Sequence, residues 1–195
     1  MLRVAVVVLC VISAAGAAEK SKSKKTRDEK RITIDELVTA APLPKDYEIT
    51  RQEVEIKGKL LGHKLLLTKE DAVSKAIVTV ENRKVSTRDE KVAATKAYVN
   101  GASRLFSEAG LKLAKKEIPD LDQADFDEPI VVSLVYEKPD GEQLLVQVRT
   151  FFTDTGHSVL VVADDEDEYK MLTKWAKSVE GKKRDEKQAT PLTGF

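Results

Sequence analysis

The strongest constraint on the fold is a run of three apolar segments in the C-terminal half of the chain. The first, residues 130–136, reads IVVSLVY, and its continuous β-branched character predicts a strand buried on both faces. Turn residues at Pro139–Gly141 and Asp154–Gly156 precede two further strand-like segments, 143–152 and 158–163. Short turns between successive strands predict an antiparallel meander.

A helix is predicted upstream of this meander by signals at both of its ends. Thr87 and Glu90 have the spacing of a capping box, in which each side chain satisfies a backbone N–H of the other. Gly110 is placed to end the helix in a left-handed conformation, with Leu111 folding back onto it. The apolar face predicted between these ends consists of Val92, Val99, Ala102, Leu105, Phe106 and Ala109.

A second helix is predicted to begin near Asp164, after the last strand. Acidic residues occupy 164–168, and Lys174 and Lys177 lie near its end, an order that complements the helix dipole. The buried face is predicted to contain Tyr169, Leu172, Trp175 or Ala176, and Val179.

The remaining strands complete the predicted topology. Residues 76–80 form a clear strand, residues 47–57, 59–68 and 111–117 form weaker ones, and Gly58–Lys64 is interpreted as a hairpin connection. The resulting order is β-β-β-α-β-β-β-β-α. Antiparallel strands with separate helices predict an α+β fold, an antiparallel sheet layered with helices.

This order resembles the PsbP-like family, which is named for an extrinsic subunit of photosystem II. The resemblance rests on Gly141–Gln143 leading into a long strand, on the segment 153–162, and on an acidic helix start with a helix that ends near 175–179. It covers residues 44–180 in outline. It implies an α/β/α sandwich with a binding or assembly role rather than catalysis. It supplies no residue motif, so no site is carried over.

The first eighteen residues predict a secretory signal peptide, cleaved after residue 17 or 18. Arg3 supplies the positive start, Val4–Ile12 an apolar run, and Ala15–Ala17 a small-residue cleavage site. The apolar run has nine residues, whereas a bilayer span takes about 20. The expected location is therefore secreted or periplasmic, with no transmembrane span after cleavage. An uncleaved N-terminal anchor, or a lipoprotein modified at Cys10, is the less favoured interpretation.

Cys10 is the only cysteine of the chain, and it would be removed with the signal. The exported chain would then form no disulfide, so its core must suffice for stability. Cysteine nucleophiles and cysteine-ligated metals are excluded on the same ground.

Charged tails are predicted on both sides of one domain at residues 44–180. Residues 19–31 hold seven basic and three acidic residues and no apolar one, so residues 19–43 are predicted to be a largely disordered linker. Within it, Ile32–Val38 is a candidate for packing on the domain. The basic arm is either a solvated linker or an attachment to an anionic surface. Residues 181–195 form a polar C-terminal tail.

Composition argues against a nucleic-acid-binding protein. The 33 basic residues balance the 33 acidic ones, and the few aromatic residues do not interleave with the basic ones. A nucleic-acid-binding domain should carry a basic excess, so no nucleic-acid partner is predicted.

Residues that could carry chemistry are few, and no catalytic, cofactor-binding or metal-ligating residue is predicted. His63 and His157 are the only histidines, and both are interpreted as turn or surface residues. Four serines lack the G-x-S-x-G context of a nucleophile: Ser103, Ser107, Ser133 and Ser158. No cofactor is expected.

Two acidic stretches leave alternatives open. The five consecutive acids at 164–168 either begin a helix or bind calcium, and the helix start is favoured. The acids at 120–128 lie in a predicted loop, which either is a solvated connection or binds a cation or a basic partner.

Three functional hypotheses follow. The favoured one is an exported, non-catalytic binding or assembly module whose partner is a protein or an envelope component of the cell. The second is an envelope-surface tether that uses the basic N-terminal arm. The third is a periplasmic hydrolase that works through two carboxylates, which would have to lie about 5 to 10 Å apart in a pocket.

Overall fold

A computed structural model describes residues 43–56, 59–153 and 155–180. Their elements follow the predicted order and have these bounds: β1 Glu48–Ile56, β2 Lys59–Thr68, β3 Lys75–Lys84, α1 Arg88–Glu108, β4 Lys112–Glu117, β5 Ile130–Glu137, β6 Gln143–Phe152, β7 Thr155–Ala163 and α2 Glu166–Glu180. The predicted α+β class is confirmed. The expectations for residues 1–42 and 181–195 lie outside the described residues.

All seven strands of the described residues join one antiparallel sheet in the order β1-β2-β3-β7-β6-β5-β4. Two hairpin-connected groups, β1–β3 and β5–β7, meet where β3 pairs with β7. Helix α1 carries the chain from β3 to β4, so the two outer strands are β1 and β4. The predicted meander of the last three strands is confirmed.

The two helices pack on opposite faces of the sheet, which gives three layers. Helix α2 buries its apolar residues against β2, β3 and β7, and α1 buries its own against β5 and β6. We call these sides the α2 face and the α1 face. Along β7, Val159 and Val161 lie under α2 while Val162 lies under α1, as strand alternation requires.

Strand β5 is buried on one face only, which corrects the prediction that it is buried on both. Its residues Val132, Leu134 and Tyr136 are almost fully buried under α1, whereas the residues between them are half-buried. The strand covered on both sides is β7, in which seven of the nine residues are buried. Continuous β-branched sequence therefore indicates a strand here, but not how many helices cover it.

Helix α1 is fixed at both ends by the predicted local bonds. Thr87 Oγ1 accepts from the Glu90 N–H at 3.2 Å, and Glu90 Oε2 accepts from the Thr87 N–H at 3.0 Å. At the other end Gly110 has φ +80°, and the Leu111 N–H donates to the Phe106 carbonyl at 3.0 Å. This is a complete Schellman motif, since the Gly110 N–H also bonds the carbonyl three residues earlier.

The predicted apolar face of α1 is right at Val99, Ala102 and Phe106 and wrong at Ala109, which is exposed. Ala94 and Thr95 are buried in its place. The sequence does not indicate that Thr95 is a core residue. Its hydroxyl bonds the hydroxyl of Thr150 in β6, 3.1 Å away, and this partner lies 55 positions later in the sequence.

Helix α2 begins two residues after the predicted start. Asp165 caps it, since Oδ1 accepts from the N–H groups of Asp167 and Glu168 at 2.9 Å each. The predicted apolar face is right: Leu172, Trp175, Ala176 and Val179 are buried and Tyr169 is partly buried. No helix of the described residues is long and apolar enough to cross a membrane.

Two predicted connections lie inside strands. Gly62–Lys64 belongs to β2, and Thr155 and Gly156 belong to β7. Gly62 pairs with Glu81, and a Cβ at this position would overlap the carbonyl oxygen of Val80. The glycine therefore permits close strand approach rather than a turn.

Candidate functional site

Helix α2 leaves the β5 side of the α2 face uncovered. The helix lies over β3, β7 and part of β6, and the outward residues of β5 stay half-buried. We call this surface the open shelf. Its floor and its wall on α2 consist of Val131, Ser133, Val135, Leu145, Gln147, Arg149 and Tyr169.

Polar groups converge in the middle of the shelf. Gln147 Nε2 donates to the hydroxyl of Tyr169 at 3.3 Å, and its Oε1 accepts from Arg149 Nη1 at 3.1 Å. Ser133 is the direct cross-strand partner of Gln147. Burial raises the pKa of Tyr169, while hydrogen bonds from Ser133 and Gln147 act in the opposite direction. The phenol therefore stays protonated at neutral pH and remains a donor.

Arg149 is the charged member of this cluster, and only 6% of it is exposed. It pairs with Val131 on one side and Val159 on the other, so its stem lies in an apolar row. The guanidinium donates to Gln147 and has a further interaction, so it holds the polar cluster in place from below the surface of the shelf. Strand alternation predicts the side on which Gln147 and Arg149 lie, but not their burial.

The sequence does not indicate Tyr169 as a site residue, because its helical spacing makes it one of the core positions. Its contact with Gln147 requires α2 to cross the sheet beside β6. The sequence signal for the polar cluster is the pair Gln147 and Arg149, which lie two residues apart in a mostly apolar strand.

The histidines lie on the α2 face, on either side of Val80. His157 is fully buried, so its interpretation as a turn or surface residue is wrong. Its Nε2 bonds the hydroxyls of Thr153 at 2.8 Å and Thr155 at 3.1 Å. Burial lowers its pKa to about 4, which keeps the ring neutral at pH 7. His63 is half-buried in β2.

Among the described residues, no group of three or more histidines, cysteines or acids is placed to hold a metal ion. The predicted serines are also dispersed. Ser103 and Ser107 lie on α1, Ser133 lies on the shelf, and Ser158 is buried in β7. Because Ser158 follows His157 directly in a strand, their side chains point to opposite faces.

The acids at 164–168 serve the start of α2. Asp164 accepts from Lys138 at 3.1 Å, Glu168 accepts from Lys69 at 2.9 Å, and Asp165 is the cap. Glu166 pairs with a lysine one turn later in α2. These contacts support the helix-start interpretation over the calcium one.

The acids at 120–128 form two similar turns. Asp120 Oδ1 accepts from the Asp122 N–H at 2.9 Å, and Asp125 Oδ1 accepts from the Asp127 N–H at 2.8 Å. Each turn inserts one apolar residue, Leu121 or Phe126, which are 8% and 6% exposed.

Arg88 also fastens this loop. It donates to the Asp122 carbonyl at 2.8 Å and lies 5.3 Å from the centre of the Phe126 ring. The segment is thus anchored to the α1 face. The prediction of a solvated connection is wrong for Leu121 and Phe126, which are buried, while the acidic residues are exposed and two of them bond the loop backbone.

Comparison of the chain with protein-family models, with curated proteins and with solved structures finds no match. The resemblance to the PsbP-like family therefore stays a prediction.

Proposed function

We propose that this chain is an exported, non-catalytic binding or assembly module that recognises a protein or ligand of the cell envelope through the open shelf. The observation that carries the proposal is the convergence of Gln147, Arg149 and Tyr169 on a half-covered sheet face. An apolar surface with a few convergent polar groups is typical of binding sites. The predicted signal peptide and the PsbP-like resemblance support the same function.

The chemistry of the shelf favours a peptide-like ligand. Val131, Val135 and Leu145 supply apolar floor, while the Gln147 amide and the Tyr169 hydroxyl supply polar groups beside it. Amide carbonyls and N–H groups are the partners that an amide and a hydroxyl suit. An extended peptide segment combines apolar side chains with such backbone groups.

Site-specific photo-crosslinking in the native envelope fraction tests the proposal. A photoreactive residue is placed at Val135, on the shelf, and in a second protein at Lys96, an exposed residue of α1. We expect one stoichiometric adduct from position 135 and none of the same mass from position 96. Arg149→Ala combined with the probe at 135 should reduce that adduct, since it removes the donor that orients the Gln147 amide in the shelf.

Arg149→Ala also removes a buried side chain, so a fold control is needed. Tyr169→Phe deletes only the hydroxyl and should weaken the adduct while the melting temperature changes little. If both probe positions give the same adducts, or if neither variant alters the adduct at 135, the shelf is not the binding surface.

A second candidate, the envelope tether, is favoured by the seven basic and three acidic residues at 19–31. Basic segments bind anionic lipid surfaces at about 1 kcal/mol per cation, an attraction that salt screens. The test is co-sedimentation with vesicles of phosphatidylglycerol and phosphatidylcholine at low and high salt. Salt-sensitive binding that deletion of residues 19–31 abolishes would support the tether, and binding that survives the deletion would exclude the arm as its cause.

A further inference from the structure

The two outer strands of the sheet, as the described residues form it, carry opposite charges. Strand β1 holds three carboxylates and one guanidinium, a formal charge of −2, and β4 holds three ammonium groups and one carboxylate, a formal charge of +2. The charged side chains are all exposed: Glu48, Arg51, Glu53, Glu55, Lys112, Lys115, Lys116 and Glu117.

The interior strands next to β4 carry little charge, since β5, β6 and β7 together contain only Glu137 and Arg149 as charged residues. Strands β2 and β3, next to β1, carry a formal charge of +4 through Lys59, Lys64, Lys75, Glu81, Arg83 and Lys84. Edge strands leave a row of N–H and C=O groups unpaired, and edge charges oppose pairing with a like edge. Two β1 edges would repel each other, and so would two β4 edges. A β4 edge and a β1 edge attract.

We propose that β4 of one copy of this chain pairs with β1 of a second copy, so that the sheet continues from molecule to molecule. Because the two paired surfaces differ, each copy keeps one unused edge, and assembly does not stop at a dimer. This inference goes beyond the proposed function, since the contact uses the sheet edges and does not involve the shelf.

The geometry of the edges limits the strength of the contact. The pairing of β1 with β2 shifts between Val54 and Glu55, where the extra residue is Leu61 of β2, and the pairing of β4 with β5 shifts between Leu113 and Lys115, where the extra residue is Ala114 of β4. Such bulges shorten the stretch that can pair without interruption. We expect pairing through one interrupted strand on each copy to bury less than the roughly 1,200 Å² of stable interfaces. We therefore expect a dissociation constant on the order of 100 μM, strongly dependent on salt.

Paired charge reversal tests the proposal on the full chain by analytical ultracentrifugation. Lys115→Glu with Lys116→Glu changes the β4 charge from +2 to −2, and Glu53→Lys with Glu55→Lys changes the β1 charge from −2 to +2. At low salt the unaltered chain should form dimers and larger species as its concentration rises. Each double variant alone should associate at least about tenfold more weakly. An equimolar mixture of the two should regain association, because each reversed edge then meets an opposite edge.

The control is Lys174→Glu with Lys177→Glu, which alters net charge equally on exposed positions of α2 and should leave association unchanged. Thermal melts verify that all variants fold. The proposal is overturned if the unaltered chain stays monomeric up to about 1 mM at low salt, a concentration well above the expected dissociation constant. It is also overturned if the mixture fails to associate, or if assembly stops at a dimer that neither double variant weakens.

Discussion

The two helices cover the same sheet but are held in different ways. Helix α1 is fixed by bonds within a few residues of its ends, the capping box at Thr87 and the left-handed turn at Gly110. Helix α2 has a local cap at Asp165, and its start is also tied to distant strands by Lys69 and Lys138. Local signals thus define where α1 begins and ends, whereas tertiary contacts help to place α2.

The polar groups buried beneath the helices differ as well. Under α1, the hydroxyls of Thr95 and Thr150 satisfy each other at 3.1 Å. On the α2 face, His157 bonds two threonines through Nε2, and its buried Nδ1 has no hydrogen-bond partner among the described residues. A hydroxyl pair does not titrate in the ordinary pH range, whereas a histidine does. Acid should therefore affect the α2 side first.

The largest expected effect comes from removing the main aromatic anchor of either helix. Phe106 of α1 and Trp175 of α2 are 2% and 4% exposed, so Phe106→Ala and Trp175→Ala should each cost about 3–5 kcal/mol in the free energy of unfolding. Because both clusters include residues of β7, each variant should unfold in a single transition. Urea denaturation followed by far-UV circular dichroism measures both quantities.

Leu113→Ala is the matched control, since 41% of this large apolar residue is exposed. It should change the unfolding free energy by less than about 0.5 kcal/mol. A biphasic transition in either aromatic variant would contradict this prediction. It would mean that the two faces of the sheet unfold independently, each with its own helix.

The next effect is acid destabilisation through His157. Its pKa falls from the ordinary 6.5 to about 4 in the folded chain because burial disfavours the charged ring. The folded state therefore prefers the neutral ring, and this contribution is fully present above pH 6.5. It is lost as the pH falls from 6.5 through 4, by about 3 kcal/mol at 1.36 kcal/mol per pKa unit.

Unfolding free energies at pH 7 and pH 4 measure this loss. Carboxylates contribute their own pH dependence, so the difference between variants is the quantity of interest. In His157→Gln the drop between the two pH values should be smaller than in the unaltered chain by about 3 kcal/mol. If His157→Gln shows the same drop as the unaltered chain, the assignment to His157 is refuted.

A smaller effect is expected from the hydroxyl pair under α1. Thr95→Val leaves the hydroxyl of Thr150 buried without its partner and should cost about 1–3 kcal/mol. Thr95→Val combined with Thr150→Val removes both groups and should lie closer to the unaltered chain than the sum of the single variants. A double-mutant cycle by urea denaturation measures the coupling, and strictly additive losses would show that the two hydroxyls do not depend on each other.

The same contrast explains which parts of the structure the sequence predicts. The ends of α1 and the order of the strands follow from local spacing, since caps and alternation involve residues a few positions apart. His157 was misplaced because β7 begins at Thr155, three residues before the predicted strand. Whether a strand residue is buried depends on which helix lies above it, and that is decided by the whole topology.

The open shelf shows the same limit. The alternation of β6 predicts that Gln147 and Arg149 share a side, and this is confirmed. Tyr169 joins them only because α2 crosses beside β6, and Ser133 joins them only because β5 pairs with β6 in one register. These contacts connect residues 14 to 36 positions apart in the sequence, and no local pattern indicates them.

The smallest effect distinguishes the caps of the two helices. Thr87→Ala and Asp165→Ala each remove a side-chain acceptor for N–H groups of the first turn, and each should cost about 1 kcal/mol. Asp165 also brings a negative charge to the positive end of the helix dipole, whereas Thr87 is neutral. Salt screens this charge effect, which is worth about 0.3–1 kcal/mol.

Unfolding free energies at about 20 mM and 500 mM NaCl, where the Debye length falls from roughly 20 Å to 4 Å, separate the two caps. The cost of Asp165→Ala should shrink at high salt, and that of Thr87→Ala should not. Asp165→Asn keeps an acceptor without the charge, so it should lose only the salt-dependent part. If Asp165→Asn costs as much as Asp165→Ala at both salt concentrations, the Asp165 cap acts through its charge at close range. The two caps would then differ because Asp165 acts through its negative charge, at a distance too short for salt to screen, whereas Thr87 acts through a neutral hydrogen bond.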